Sequence, residues 1–148
     1  MADQKISALT ALAGSAVDPS ADSTVIVDNS AGATKRILMA EAQLIRQNSQ
    51  SADYTLLITD ANIHLLHPAA DTNNRVFTIP ANASVAFSIG TTVTIVNMVN
   101  TITVAITTDT MTLLGAGGTG SRTLAANGVA TALKIAATSW VIWGLNLT

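Results

Sequence analysis

The sequence predicts a mainly β protein: an N-terminal arm carrying a β-hairpin and a short helix, then an antiparallel β-sandwich or small β-barrel. Three observations predict it. Thr91–Val96 and Thr101–Ile106 alternate threonine with valine or isoleucine, the period-two pattern of a half-buried strand. From Tyr54 onward, short β-branched runs recur, each stopped by Gly, Pro, Asn or Asp. Residues 1–50 have a different texture, richer in Ala, Ser and charge.

Taken in order, Lys5–Leu12 places apolar residues at Ile6, Leu9 and Leu12, a pattern too short to stand alone as a helix. Gly14–Ser23 is small and polar around Pro19 and reads as a linker. Thr24–Asp28 is a strand, Asn29–Ala33 a turn with Gly32 free to take positive φ, and Thr34–Leu38 the returning strand. Met39–Gln47 favours a helix, because Ala, Glu, Gln and Leu are good helix formers and its apolar residues sit three or four apart. Asn48–Asp53 is a boundary, dividing an arm of residues 1–50 from a β-domain of residues 53–148.

In the second region Tyr54–Thr59 and Asn62–Leu66 read as strands, and His67–Asn74 as a loop. Arg75–Ile79 is a strand stopped by Pro80, and Ser84–Ile89 is another, ended by Gly90. The two Thr-alternating strands and Met111–Leu114 follow. Gly115–Gly120, with four glycines in six residues, reads as a mobile loop. Val129–Ile135 and Ser139–Leu147 close the chain. Roughly eight or nine strands at close spacing suggest a sandwich or barrel. No repeat of fixed period is visible.

Composition narrows the function. The chain has 148 residues, of which 49% are hydrophobic, 11% charged and 3% aromatic. An average soluble protein is about 25% charged. Residues 76–148 carry only Asp109, Arg122 and Lys134. Such a surface is expected to be covered in an assembly. A net charge of −2 and a pI near 5.4 offer no field for nucleic acid. Without cysteine there is no disulfide framework, thiolate metal site or cysteine nucleophile. No apolar run approaches about 18 residues, so no membrane partner is expected, and no secretory leader is visible. Asn82-Ala83-Ser84 and Asn146-Leu147-Thr148 match the glycosylation pattern, which without a leader reads as coincidence.

No catalytic constellation emerges, and the chain is expected to be neither an enzyme nor a cofactor binder. His64 and His67 stand three apart on a predicted strand, hence on opposite faces, and a zinc site needs three or four ligands. Both are read as ordinary, partly exposed histidines, and no metal is expected. Glu41, the only glutamate, is a solvated helix residue; Asp53, Asp60 and Asp71 lie where turns favour aspartate. Gly115–Gly120 lacks the following helix and the Gly-Lys-Ser/Thr ending of a phosphate loop. Trp140 and Trp143 are expected on opposite faces of the last strand, one in the core and one at a subunit or partner surface.

Two segments resemble bacteriophage virion proteins. Lys5-Ile6-Ser7-Ala8-Leu9, the linker, and Val27-Asp28-Asn29-Ser30-Ala31-Gly32-Ala33-Thr34-Lys35-Arg36-Ile37 resemble the amino-terminal module of phage head-decoration and fibre proteins. Thr78-Ile79-Pro80-Ala81-Asn82, continuing through Phe87 to Gly90, is similar to the β-domain that often follows. Arg122, Ala130-Thr131-Ala132-Leu133-Lys134-Ile135 and Trp140 match its closing segment, with Ala132 departing from the usual apolar residue. The motifs are short but span most of the chain.

The resemblance implies a trimer with its arm on the particle and its β-domain projecting outward. The implied function is capsid decoration: a cement protein on the outer capsid surface of the virion, made in the host cytoplasm, its partners the major capsid protein and itself. Lys5, Ile6, Leu9, Leu12, Lys35 and Arg36 become the candidate capsid contacts, and Phe87 and Trp140 the structural core. The alternative is a tail-fibre or tail-spike component binding a host receptor, against which the short length speaks. A third reading, a small carbohydrate-active enzyme, needs two carboxylates roughly 5–9 Å apart and has only turn aspartates to supply them.

Overall fold

The computed structural model describes residues 23–28, 33–38 and 44–148. The chain divides into two compact units, Met1–Leu44 and Ile45–Thr148. In the first, β1 (Ser23–Asp28) pairs antiparallel with β2 (Ala33–Leu38), in register from Ser23↔Leu38 to Asp28↔Ala33. This is the expected hairpin; its turn, at residues 29–32, lies outside the described residues. So do residues 39–43, where the short helix is expected. Leu44–Arg46 are not helical and Gln47 begins a strand, so the end of that helix is corrected to extended chain.

The second unit holds β3 (Gln47–Ser49), β4 (Tyr54–Thr55), a 3-10 turn at Ile58–Asp60, β5 (His64–His67) and β6 (Arg75–Ile79). After these come β7 (Thr92–Asn97), β8 (Ile102–Ile106), β9 (Thr110–Leu113), β10 (Arg122–Ala136) and β11 (Ser139–Leu147). Strands β3, β5 and β7 stack parallel in one column, and β4, β6 and β8 in another. Each turn of chain adds one strand to each column, a β-solenoid-like arrangement. The ladders are residue on residue: Asn48 on Leu65 on Ile95, and Tyr54 on Phe77 on Val104.

Long β10 runs antiparallel across the last turn, pairing Arg122–Leu124 with β8 and Gly128–Leu133 with β7. It thus covers both columns. Strand β11 folds back antiparallel on β10, and β9 adds to β11 in parallel. The mainly β expectation holds. The antiparallel sandwich or barrel does not describe these pairings, because the antiparallel strand pairs of this unit all include β10 and the others are parallel. The reason is connectivity. Between β5 and β7 the chain makes β6 in the other column, a crossover of the length that parallel pairing requires.

The core lies between the columns and under β10. Leu65, Phe77, Ile79, Val93, Ile95, Ile102, Val104, Leu124, Trp140 and Ile142 are all buried there. The Thr-alternating strands behave as expected, with Thr92 and Thr94 outward and Val93 and Ile95 inward. Two local expectations are corrected, one strand and one loop. Ser84–Ile89 is no strand: Ser84 and Val85 N–H donate to Ala81 C=O, and Thr91 N–H to Ser88 C=O, spending its donors on local turns. Gly115–Gly120 is a hydrogen-bonded turn, in which Gly117 N–H donates to Leu113 C=O at 2.8 Å and Thr119 bridges Thr112.

Candidate functional site

Of the residues expected to touch a capsid, Lys5, Ile6, Leu9 and Leu12 lie outside the described residues. Lys35 and Arg36 are on β2, opposite Ile26 and Val25. The two expected core residues meet. Phe87 and Trp140 are both buried and pack edge to face. Phe87 reaches that place from a turn instead of a strand.

Four buried ionic side chains are each tied into local structure. Asp60 accepts from Tyr54 Oη at 2.7 Å, Asn48 Nδ2 at 2.9 Å and Leu57 N–H at 2.8 Å, closing the 3-10 turn. Burial, then the bond to Asp60, raises the Tyr54 phenol above its ordinary pKa. Asp109 accepts from Asn82 N–H. Lys134, 1% exposed, donates from Nζ to Asn82 Oδ1 and lies 5.6 Å from the centre of the Trp140 ring.

Asp71 holds the largest of these clusters. Arg75 grips it through Nε at 2.6 Å and Nη2 at 3.0 Å, and Asn73 donates to it from Nδ2 at 2.8 Å. The Arg75 guanidinium holds the Asp71 carboxyl well below the usual carboxylate range, against the opposing pull of burial. On its other side His67 Nε2 lies 3.1 Å away. Asn97 donates both its amide hydrogens to the carbonyls of Asn100 and Leu124, which turns its Oδ1 toward His67 Nδ1 at 2.7 Å. Both ring nitrogens are thus occupied.

His67 is fully buried, which corrects the expectation of a partly exposed ring; His64 is half-buried and bonds Gln47. The two histidines do face opposite ways. This cluster fastens the loop from Pro68 to Asn74 and leaves no ring nitrogen or carboxylate oxygen free for a substrate. Among the described residues, no group of three or more His, Cys, Asp or Glu side chains is placed to hold a metal ion.

The outer surface is more informative. Residues 44–148 contain eight charged side chains, of which only Arg46 and Asp53 are exposed. Arg75 and Arg122 are half-buried and the other four buried. Arg122 lies against the glycine-rich turn, where its Nε and Nη2 are buried with no hydrogen-bond partner among the described residues.

One sheet face combines this lack of charge with apolar side chains. It runs across β3, β5, β7, β10, β11 and β9. In β10 the larger residues face out: Val129 is 39% and Ile135 50% exposed, with Leu133 half-buried, while Ala130, Ala132 and Lys134 face in. In β11 Val141, Trp143 and Leu145 share the outward side, and Trp140 and Ile142 the inward. Trp143 is 40% and Leu145 65% exposed. The two tryptophans thus take opposite sides of the strand, as expected, with Trp140 in the core.

The register lines these residues into rows. Leu66, Val96, Val129 and Leu145 form one across four strands; His64, Thr94, Thr131 and Trp143 form the next. At the β9 end, Leu113, Leu114, Trp143 and Leu147 line a shallow groove. Sequence reading puts valine and isoleucine inward in the Thr-alternating strands and assigns no faces to Val129–Ile135, and so misses this face. The available signal is the strict alternation of Ala130, Ala132 and Lys134 with Val129, Thr131 and Leu133, which forces one set out. No family model, curated protein or solved structure matches this chain.

Proposed function

We propose that this chain is a bacteriophage capsid decoration protein that binds the outside of the assembled shell and stabilises it. The observation that carries the reading is the surface: a body of 104 residues, Ile45–Thr148, with two exposed charged side chains and an apolar sheet face turned outward. Such a body suits permanent assembly better than life as a free monomer. The resemblance of Lys5–Leu9 and Val27–Ile37 to particle-bound modules specifies the kind of assembly. The arm contacts the major capsid protein, and copies associate, as a trimer, through the β-domain.

The mechanism is mass action. A protein that binds the assembled shell but not its separated subunits adds RT ln(1 + [L]/Kd) per site, about 2.7 kcal/mol at a hundredfold excess over Kd. Three arms on one trimer raise the effective affinity further. Particles depleted of this protein therefore release their genome at lower temperature than complete ones, and adding it back restores them.

The parallel stacking of turns favours a second reading, a tail-fibre or tail-spike component, because stacked turns are how elongated solenoids extend. That reading expects depleted particles to keep their heat stability and to lose adsorption to cells. Genome release on heating and adsorption, measured on the same two preparations, separate the two. Heat-stable, poorly adsorbing particles overturn decoration.

A further inference from the structure

We propose that a second copy of this chain packs on the outward face of β7, β10 and β11, over the rows Leu66–Val96–Val129–Leu145 and His64–Thr94–Thr131–Trp143. The inference rests on the self-association in the reading above and names the surface that performs it.

The orientation of β10 is the first argument. A strand in a half-buried sheet turns its larger apolar side chains to the core, since a buried aliphatic side chain stabilises by about 1.5–3 kcal/mol over an exposed one. Here alanines and a lysine take the inward positions, and Val129, Leu133 and Ile135 are outward. On the inward side Ala130 and Ala132 sit beside Ile95 and Val93 of β7 in the buried cluster, and Lys134 lies 5.6 Å from the centre of the Trp140 ring. The outward residues then need another cover. Strand β11 repeats the arrangement with Val141, Trp143 and Leu145.

Charge identifies the occupant. Across the six strands, the outward positions from Gln47 to Thr112 carry no carboxylate, ammonium or guanidinium, and His64 is the only titratable group. A partner with a charged surface would bury its charges there unpaired, at a cost of several kcal/mol each. A second copy brings a surface of matching chemistry, since its own body also exposes only Arg46 and Asp53. The six strands, at about 4.8 Å spacing, span roughly 24 Å, broad enough for the body of a second copy to rest on them.

The test is the mass of the full chain in solution by multi-angle light scattering, at micromolar concentration and after dilution. Wild type is expected at a multiple of 15.2 kDa. Leu145→Lys and Val129→Lys each put a charge on the face and are expected to return it to the single-chain mass. Thr103→Lys, on the outward side of β8 in the other column, keeps the wild-type mass. Circular dichroism checks that each variant is folded. Should a lysine variant fail to fold, Trp143→Ser, which removes apolar area without adding charge, takes its place and is expected to weaken association at least tenfold. A wild-type chain that is monomeric overturns both the face and the self-association, while the particle heating experiment still judges decoration by itself. An oligomeric wild type whose Leu145→Lys and Trp143→Ser variants are folded and equally oligomeric overturns the face alone.

Discussion

The Phe87 ring meets the Trp140 indole edge-on, with centroids 5.6 Å apart and an interplanar angle of 82°. The pair joins the turn after Pro80 to the last strand, so it holds together parts of the body distant in sequence. Edge-to-face pairs add about 0.5–1.5 kcal/mol beyond the area they bury. Truncating a buried phenylalanine to alanine costs about 3–5 kcal/mol. Phe87→Ala is therefore expected to lower stability by that amount. Thr94→Ala, which removes an outward hydroxyl 3.1 Å from Thr131 Oγ1, is expected to cost below about 1 kcal/mol. Denaturant unfolding of both variants checks the ranking; equal costs would mean that Phe87 is not a core residue.

Asp71 makes stability acid-sensitive. Its folded carboxyl titrates below the ordinary aspartate value of about 3.9, because Arg75 binds the charged form. A depressed carboxylate contributes stability that is fully present above the unfolded value and is lost as pH falls through the folded one. The unfolding midpoint should thus hold steady as pH approaches about 5 from above, then fall below about 4. Asp71→Asn should be less stable at neutral pH and show a shallower acid decline. Identical pH profiles for variant and wild type would show that Asp71 is not the source of the decline.

Strand positions in β6 to β8 and in β10 and β11 are legible in the sequence, because alternation reports burial directly. Strand direction is not. Alternation is the same for parallel and antiparallel neighbours, and the turns of this solenoid-like body differ in length, so no repeat announces the stacking. Ser84–Ile89 misleads because its residues suit a strand while its backbone donors are used within local turns. His67 is concealed for another reason: its burial depends on Asn97 and Asp71, one on a different strand and one in a loop. The outward face is the least legible feature. Composition shows that charge is scarce from residue 76 on, but only the crossing of β10 over the columns decides that Val129 and Leu133 point away from the core.

Gly144 shows how closely β10 and β11 approach. A Cβ there would overlap the Val129 carbonyl oxygen and stand 2.7 Å from Ala130 Cα, both backbone atoms that cannot swing aside. Gly144→Ala should therefore force the two strands apart and destabilise the body by more than the roughly 1–3 kcal/mol typical of overpacking. Gly90→Ala differs, since a Cβ meets nothing within 4 Å and the cost is only that of a residue held at φ 94°. Thermal unfolding of the two variants compares the effects, and a Gly144→Ala protein as stable as wild type would contradict the close approach.

The division at Leu44–Ile45 yields the last prediction. Among the described residues, every member of the hydrophobic core cluster lies in the second unit, from Leu56 to Ile142. The strands that frame it, β3 to β11, pair only with one another. A fragment of residues 45–148 should consequently fold alone and unfold cooperatively within about 1 kcal/mol of the same unit in the full chain. On the decoration reading, the same fragment loses attachment to the particle, because Lys5, Ile6, Leu9, Leu12, Lys35 and Arg36 are removed while the self-association face is kept. The measurements are calorimetry for folding, light scattering for self-association and co-sedimentation with depleted particles for attachment. A folded, self-associating fragment that still sediments with the particles at wild-type affinity would move the particle contact from the arm to the β-domain. A fragment that cannot fold would show instead that the first unit completes the second.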